Sequence, residues 1–95
     1  MSKVKLIAKI KAKPEFLEEI KAGLSGLVAP TRKETGCIQY DLHQDQKDPT
    51  TFIFLEEWES QEHLTAHLAA PHIAAFGAVS KGKIDSRNLY FLKAI

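Results

Sequence analysis

Near its start the chain alternates apolar and polar side chains, with Ile7 the one exception in residues 4–12. Apolar residues occupy every second position from 4 to 12, and lysines occupy most positions between them. A repeat of two residues predicts a β-strand with one buried face. Pro14 ends this strand and suits the first position of a helix. The apolar period then becomes helical, with a core stripe formed by Phe16, Ile20, Leu24, Leu27 and Val28.

Two features are expected in and after the last turns of the first helix. Pro30 is expected to kink it or to start a second segment, and Gly36 to cap its C-terminal end. Cys37 to Gln44 then reads as a second strand, and the polar residues 45–50 read as a hairpin loop. Thr51 to Glu59 is predicted to be the third strand, with both faces dry at 52–55, where four apolar residues follow one another.

The second helical region is predicted to be broken. Ser60 is a good N-cap, and Glu62 favours the first turn. Pro71 breaks this helix and can begin another, which residues 81–83 end. A last strand lies within residues 84–95, where positions 89–92 are again apolar in succession.

The resulting order, β-α-β-β-α-β, predicts one ferredoxin-like α+β domain over residues 1–95. Its four-stranded antiparallel sheet carries helices on one face and has the first strand in a central position. The strands at 52–55 and 89–92 would leave the other face apolar, which a monomer rarely tolerates. We therefore expect a homodimer in which two sheets pack together. The lysines of the first strand conflict with this, unless they lie near the barrel ends or cover apolar surface with their stems.

Composition and charge limit the classes of binding partner and the cellular compartment that we expect. Formal net charge is +1 with acids and bases interspersed, so no nucleic acid is expected. No apolar run approaches the roughly 20 residues of a membrane span, and none at the start is long enough for a signal peptide. A single cysteine, Cys37, excludes an intrachain disulfide and fits a reducing, cytoplasmic compartment.

Candidate chemistry centres on residues 58–76. His67 and His72 lie on the apolar side of their helices, and each is either a general base in an apolar pocket or a structural imidazole bonded to a carbonyl. His63 and His67 share a helix face, and His72 could add a third metal ligand. However, no carboxylate or cysteine is placed in sequence to complete that set, so no metal is expected and His63 is expected to be exposed.

Aromatic residues complete the candidate pocket. Trp58 is either a core plate or a surface on which a planar ligand stacks, and Phe76 lines the same side as His72. Tyr40 and His43 on the second strand are candidate contacts to a cavity between sheet and helices. The chain has no Gly-rich dinucleotide turn, phosphate loop, nucleophile elbow or paired-cysteine motif. A tightly held nucleotide or flavin is therefore not expected.

Several segments together resemble the antibiotic biosynthesis monooxygenase family, most closely its bacterial quinol monooxygenase type. They are Leu6–Ile10, Lys13–Pro14, Gly36–Tyr40, Glu57–Ser60, His63–Leu64, Ala66–Leu68 and Pro71–His72. The resemblance implies a dimeric α+β barrel that oxidises a quinol-like or phenolic substrate with O2, without metal, flavin or haem. It makes His67 or His72 the base, Trp58 and Phe76 aromatic walls, and Tyr40 a hydrogen-bond partner.

Two alternatives fit the same fold. One is an isomerase of a small phosphorylated carbonyl compound, since Lys5, Lys9 or Arg32 could meet a phosphate. The other is a non-catalytic dimer that binds a hydrophobic ligand. Haem-degrading relatives use an asparagine on the first strand, and residues 3–13 contain none, which counts against haem.

Overall fold

Four strands and three α-helices, counted over the residues that the structure describes, follow the expected order, with the second helical region split in two. The computed structural model describes residues 2–95. Its elements are β1 (Val4–Ala12), α1 (Leu17–Arg32), β2 (Cys37–Gln44), β3 (Thr51–Trp58), α2 (Gln61–Leu68), α3 (Pro71–Val79) and β4 (Ile84–Leu92). A 3-10 turn, Pro14–Phe16, precedes α1. All strand pairs are antiparallel in the order β2-β3-β1-β4. The ferredoxin-like α+β prediction and the central first strand are confirmed.

One face of the sheet carries the core. In the β1–β3 register Leu6 lies opposite Glu56 and Ala8 opposite Phe54, so the even-numbered side chains of both strands share this face. Helix α1 covers it with a buried apolar stripe. The largest fully buried side chains of the core are Trp58, Phe52, Phe54, Ile20, Leu24 and Leu64.

Strand β4 lies at an edge of the sheet and is the least covered element. Its apolar run stays about half exposed, at 49–58% for Leu89, Tyr90, Phe91 and Leu92. Of the lysines on the outer face of β1, Lys5 is exposed, and Lys9 and Lys11 are half-buried. In the β1–β4 register, Tyr90 and Leu92 lie opposite Ile7 and Lys5 on the outer face, whereas Leu89 and Phe91 lie opposite Ala8 and Leu6 on the helix side. Exposed apolar surface is therefore present on both faces of β4 in the single chain.

Helix α1 ends earlier than the predicted cap at Gly36 indicated. It runs without a break through Pro30 to Arg32, and the amide of Lys33 bonds back to the carbonyls of Pro30 and Thr31. Gly36 lies four residues later with φ +86°, in the left-handed region that glycine favours. A Cβ at this position would lie 2.2 Å from the His63 ring. Gly36 thus serves the turn between α1 and β2 rather than the helix cap.

The hairpin loop between β2 and β3 is organised by Asp48. Its carboxylate accepts hydrogen bonds from the amide and hydroxyl of Thr50, at 3.1 and 2.6 Å, and from the hydroxyl of Thr51 at 2.9 Å. These hydrogen bonds, from Thr50 first, hold the pKa of Asp48 at about 2. The ionised carboxylate is therefore part of the folded loop.

The predicted starts of both helices in the broken helical region are confirmed. The Ser60 hydroxyl accepts from the amide of His63 at 3.3 Å, and α3 begins at Pro71. Leu64 is buried, whereas Leu68 is 52% exposed. In the part of the chain that the structure describes, none of the helices combines the length and apolarity needed to cross a membrane.

Candidate active site

A cavity of about 290 Å³ lies between the helix-covered face of the sheet and the helices. Apolar side chains from β1, β3, α1 and α3 form most of its wall. Tyr40, Glu56 and His67 are its buried polar lining, and Lys9, Arg87 and Asn88 line the side formed by β1 and β4. Such a chamber suits a small ligand with an apolar body and few polar groups.

His67 is the most deeply placed imidazole. It projects from α2, is only 3% exposed, and lines the cavity. The Trp58 ring lies beside it, with centroids 4.6 Å apart and planes tilted by 34°. Tyr40 meets it edge-on at 5.4 Å. Because two aromatic rings pack against the imidazole, its orientation is fixed by the core.

Glu34 joins two histidines. Its Oε2 atom lies 2.7 Å from Nδ1 of His67 and 3.0 Å from Nε2 of His72. An ionised carboxylate only accepts hydrogen bonds, so each contacting nitrogen must carry the hydrogen. A neutral His67 that donates from Nδ1 keeps a lone pair on Nε2. The carboxylate therefore selects the tautomer in which His67 can accept a proton.

The third contact of this cluster comes from the last turn of α1. Thr31 is fully buried, and its hydroxyl lies 3.0 Å from Nε2 of His72. His72 begins α3, where Pro71 restarts the helix after the break at 69–70. Side chains from α1, α2, α3 and the α1–β2 turn thus meet at one point.

Burial and the charge of Glu56 raise the pKa of Tyr40, while a hydrogen bond to Thr31 opposes this.

Glu56 is a buried carboxyl group within the cavity wall. It is 6% exposed, and burial raises its pKa. Its Oε1 accepts a hydrogen bond from the indole nitrogen of Trp58 at 3.0 Å, which together with the nearby His67 opposes that rise.

Some of the candidate site residues from the sequence line the cavity, and others do not. His67, Tyr40 and Phe76 line the cavity, while Trp58 packs behind His67 without lining it. His72 does not line the cavity and contacts Glu34 instead. His43 is exposed on β2 and does not line the cavity, because it lies an odd number of residues from Tyr40 and so faces the other way.

The structure brings together only two of the three histidines that the sequence analysis considered as metal ligands. His63 is half-buried rather than exposed, and its Nδ1 lies 2.8 Å from the Ser60 hydroxyl. Among residues 2–95 the potential metal-ligating group is Glu34, His67 and His72, whose donor atoms all lie within 4.8 Å of one another. The carboxylate that the sequence did not place beside these histidines is Glu34. Glu34 carried no local signal, since it precedes His67 by 33 residues.

Residues 3–79 match the sequence profile of the antibiotic biosynthesis monooxygenase family. The chain belongs to this family. It is 38% identical over 78 residues to YcnE of Bacillus subtilis, covering 82% of this chain and 80% of that protein. It is 29% identical to the probable quinol monooxygenase YgiN of Escherichia coli, covering 93% of this chain and 94% of YgiN. It spans 46% of the length of a longer Synechocystis relative.

A solved structure agrees with this membership. PA3566 of Pseudomonas aeruginosa superimposes with a TM-score of 0.94 at 34% identity, covering 100% of this chain and 96% of that one. The likeness extends over the whole fold, including the β4 edge and the helices that enclose the cavity. The resemblance seen in the sequence is thereby confirmed at the level of the family.

Proposed function

We propose that the protein is a cofactor-independent monooxygenase that oxidises a quinol or phenolic aromatic compound with O2, with His67 as general base. The observation that carries this proposal is a buried imidazole in the wall of an apolar cavity, with a carboxylate on its Nδ1. Membership of the family and the name given to YgiN support the reaction class.

The first step needs a base in a dry environment. A phenolic hydroxyl bound in the cavity gives its proton to Nε2 of His67, and Glu34 stabilises the imidazolium that forms. The resulting phenolate is electron-rich enough to give one electron to O2. The apolar wall favours this step because it excludes water from the anion and from the radical pair.

The remaining steps balance without an outside reductant. Superoxide and the phenoxyl radical combine into a carbon-bound peroxide, and the O–O bond then breaks. One oxygen atom stays in the product, and the other leaves as water with two hydrogens taken from the substrate. The four electrons that O2 accepts all come from the substrate, and His67 returns the proton it took.

Residues in and beside the cavity have supporting roles in this proposal. Phe76 is an aromatic wall, and Tyr40 offers a hydroxyl to the developing oxyanion. Trp58 holds the His67 ring, and His72 acts through Glu34 rather than on the substrate. His43 has no place in the reaction, because it is exposed on the other face of β2.

A homodimer is part of the proposal. The half-exposed run Leu89–Leu92 gives a continuous apolar edge, of the kind that a second copy of the chain covers. Arg87 and Leu89 line the cavity from this same strand, so a partner there would also close the chamber. The single, partly buried Cys37 supports a reducing, cytoplasmic location.

Oxygen uptake tests the reaction directly. EDTA-treated protein should consume O2 above the background of uncatalysed oxidation when supplied with hydroquinones, naphthohydroquinones or polycyclic phenols. One ¹⁸O atom from ¹⁸O2 should enter each product molecule. His67→Ala should lower kcat by about 10²–10⁴-fold, the usual contribution of a general base, whereas His43→Ala should retain full activity.

Three results would contradict the proposal. The first is a folded His67→Ala protein with unchanged turnover. The second is turnover of a phosphorylated carbonyl compound without O2 uptake, which would favour an isomerase. The third is tight binding of quinols without any turnover, which would favour a hydrophobic-ligand-binding dimer.

A further inference from the structure

Two imidazoles and one carboxylate converge beside the cavity, outside its lining apart from His67. The donor atoms of Glu34, His67 and His72 all lie within 4.8 Å of one another. We propose that this cluster binds a divalent transition-metal ion of the zinc class. Such binding does not depend on the proposed monooxygenase reaction, and it would compete with it.

The distances suit a shared ion. Ligands held about 2.0–2.2 Å from a metal at octahedral or tetrahedral angles are about 2.8–3.6 Å apart. Oε2 of Glu34 is already 2.7 Å from Nδ1 of His67 and 3.0 Å from Nε2 of His72. Side-chain movements of up to about 0.9 Å therefore open these donor pairs enough to admit an ion.

The donor set selects the class of ion. Imidazole nitrogens suit Zn²⁺, Co²⁺, Ni²⁺ and Cu²⁺, while Mg²⁺ and Ca²⁺ prefer oxygen ligands. One carboxylate and two neutral histidines neutralise half of a divalent charge. Three protein ligands also leave a fourth position free for water. The cluster is thus matched to borderline divalent ions rather than to hard ones.

The surroundings hold the ligands and leave a way in. Trp58 packs on the His67 ring and fixes its orientation. The buried Thr31 hydroxyl contacts Nε2 of His72, the same nitrogen that would bind the ion, so this hydrogen bond is exchanged for the metal bond when the ion enters. The side chains of His72 and Glu34 are 23% and 18% exposed, against 3% for His67. An ion can therefore enter from the His72 side without passing through the substrate cavity.

Coordination would change what His67 can do. A metal at Nδ1 takes the lone pair of that atom, so the hydrogen of the neutral ring moves to Nε2. A ring in this form has no lone pair with which to take a substrate proton. If the proposed function holds, the ion inhibits the reaction; if it fails, the metal site remains to be measured by binding alone.

Tag-free protein, stripped with EDTA and dialysed, should be titrated with ZnCl2 by isothermal calorimetry. We expect saturable binding of one ion per chain, with no comparable binding of Mg²⁺ or Ca²⁺. Glu34→Ala and His72→Ala should each weaken it by more than the 10–100-fold that loss of an outer-shell partner costs. Glu62→Ala and His43→Ala, which remove an exposed carboxylate and an exposed imidazole, should bind as the wild type does.

A second measurement covers variants that fail to fold. In NMR spectra of the wild-type protein, Zn²⁺ should shift the ring signals of His67 and His72 and leave those of His43 and His63 in place. Absence of saturable binding would overturn the proposal. So would binding that survives in a folded His72→Ala or Glu34→Ala protein, or ring shifts confined to His43 and His63.

Discussion

Glu34→Gln is the sharpest probe of the proposed catalytic cluster. The substitution keeps the size and shape of the side chain and removes its charge. In the wild type, Oε2 lies 2.7 Å from Nδ1 of His67, the distance of a charge-assisted hydrogen bond. In the proposed reaction, the positive charge on His67 arises only when it takes the proton of the substrate, so the carboxylate acts mainly on the transition state.

The size of the effect follows from this contact. A hydrogen bond to a charged group is worth about 1.5–3 kcal/mol when both partners are held in place. The Glu34 side chain is 18% exposed and that of His67 is 3% exposed, so water can replace little of the interaction, and the upper half of this range applies. Because about 1.4 kcal/mol corresponds to a tenfold rate change, about 2–3 kcal/mol predicts a kcat lowered by about 30–150-fold.

The assay is steady-state O2 uptake with the best quinol found for the wild type, in the presence of EDTA. EDTA removes any ion that the altered cluster would bind differently. The KM should change little, because Glu34 does not line the cavity. Circular dichroism and thermal unfolding establish that the variant is folded at the assay temperature.

Glu62→Gln is the matched control, since Glu62 is exposed in the first turn of α2 and should leave kcat unchanged. A folded Glu34→Gln protein with kcat within about threefold of the wild type would refute the reasoning, because about 0.6 kcal/mol is too little for a buried charged contact. A raised KM with unchanged kcat would place Glu34 in substrate binding instead.

Three further predictions concern the fold and the assembly. Gly36→Ala should lower the free energy of unfolding by about 2–4 kcal/mol in urea titrations, from left-handed strain plus the clash with the His63 ring; a loss below about 1 kcal/mol would contradict this. The pKa of Asp48, lowered from 3.8 to about 2, means that its ionised form stabilises the fold above about pH 4 and that this contribution is lost as the pH falls to about 2. Asp48→Asn should therefore be less stable than the wild type near pH 6, with the difference vanishing near pH 2; a gap that persists at low pH would be inconsistent with it. Phe91→Asp should convert the proposed dimer into a monomer in sedimentation velocity, and a wild-type monomer at assay concentration would remove the dimer from the proposal.

The elements were predictable because each depends on local chemistry. The alternation in residues 4–12 requires only that one face of the strand be buried. The Ser60 cap and the Pro71 restart depend on neighbours within one turn of helix. The end of α1 was misplaced because Gly36 signals a left-handed residue wherever one is needed, and here the α1–β2 turn needs it.

The site was predictable only in part. His67 was chosen because it follows the apolar side of α2, and the same pattern brings it to the cavity. Glu34 was missed because its meeting with His67 depends on how α1 packs, which no spacing along the chain encodes. His43 is a different case, since strand parity alone placed it on the face of β2 opposite to Tyr40.

The interruption between α2 and α3 has a consequence for variation among related proteins. In an unbroken helix, side chains five residues apart point in directions that differ by about 140° around the helix axis. His67 and His72 could then not both contact the same carboxylate. Their rings come to 6.2 Å between centroids only because residues 69–70 reset the direction of the chain. Inserting or deleting a single residue there would rotate one histidine out of contact with Glu34 while leaving both helices intact. Among related proteins, the length of the α2–α3 connection should therefore vary less than the residues on the exposed surfaces of the two helices.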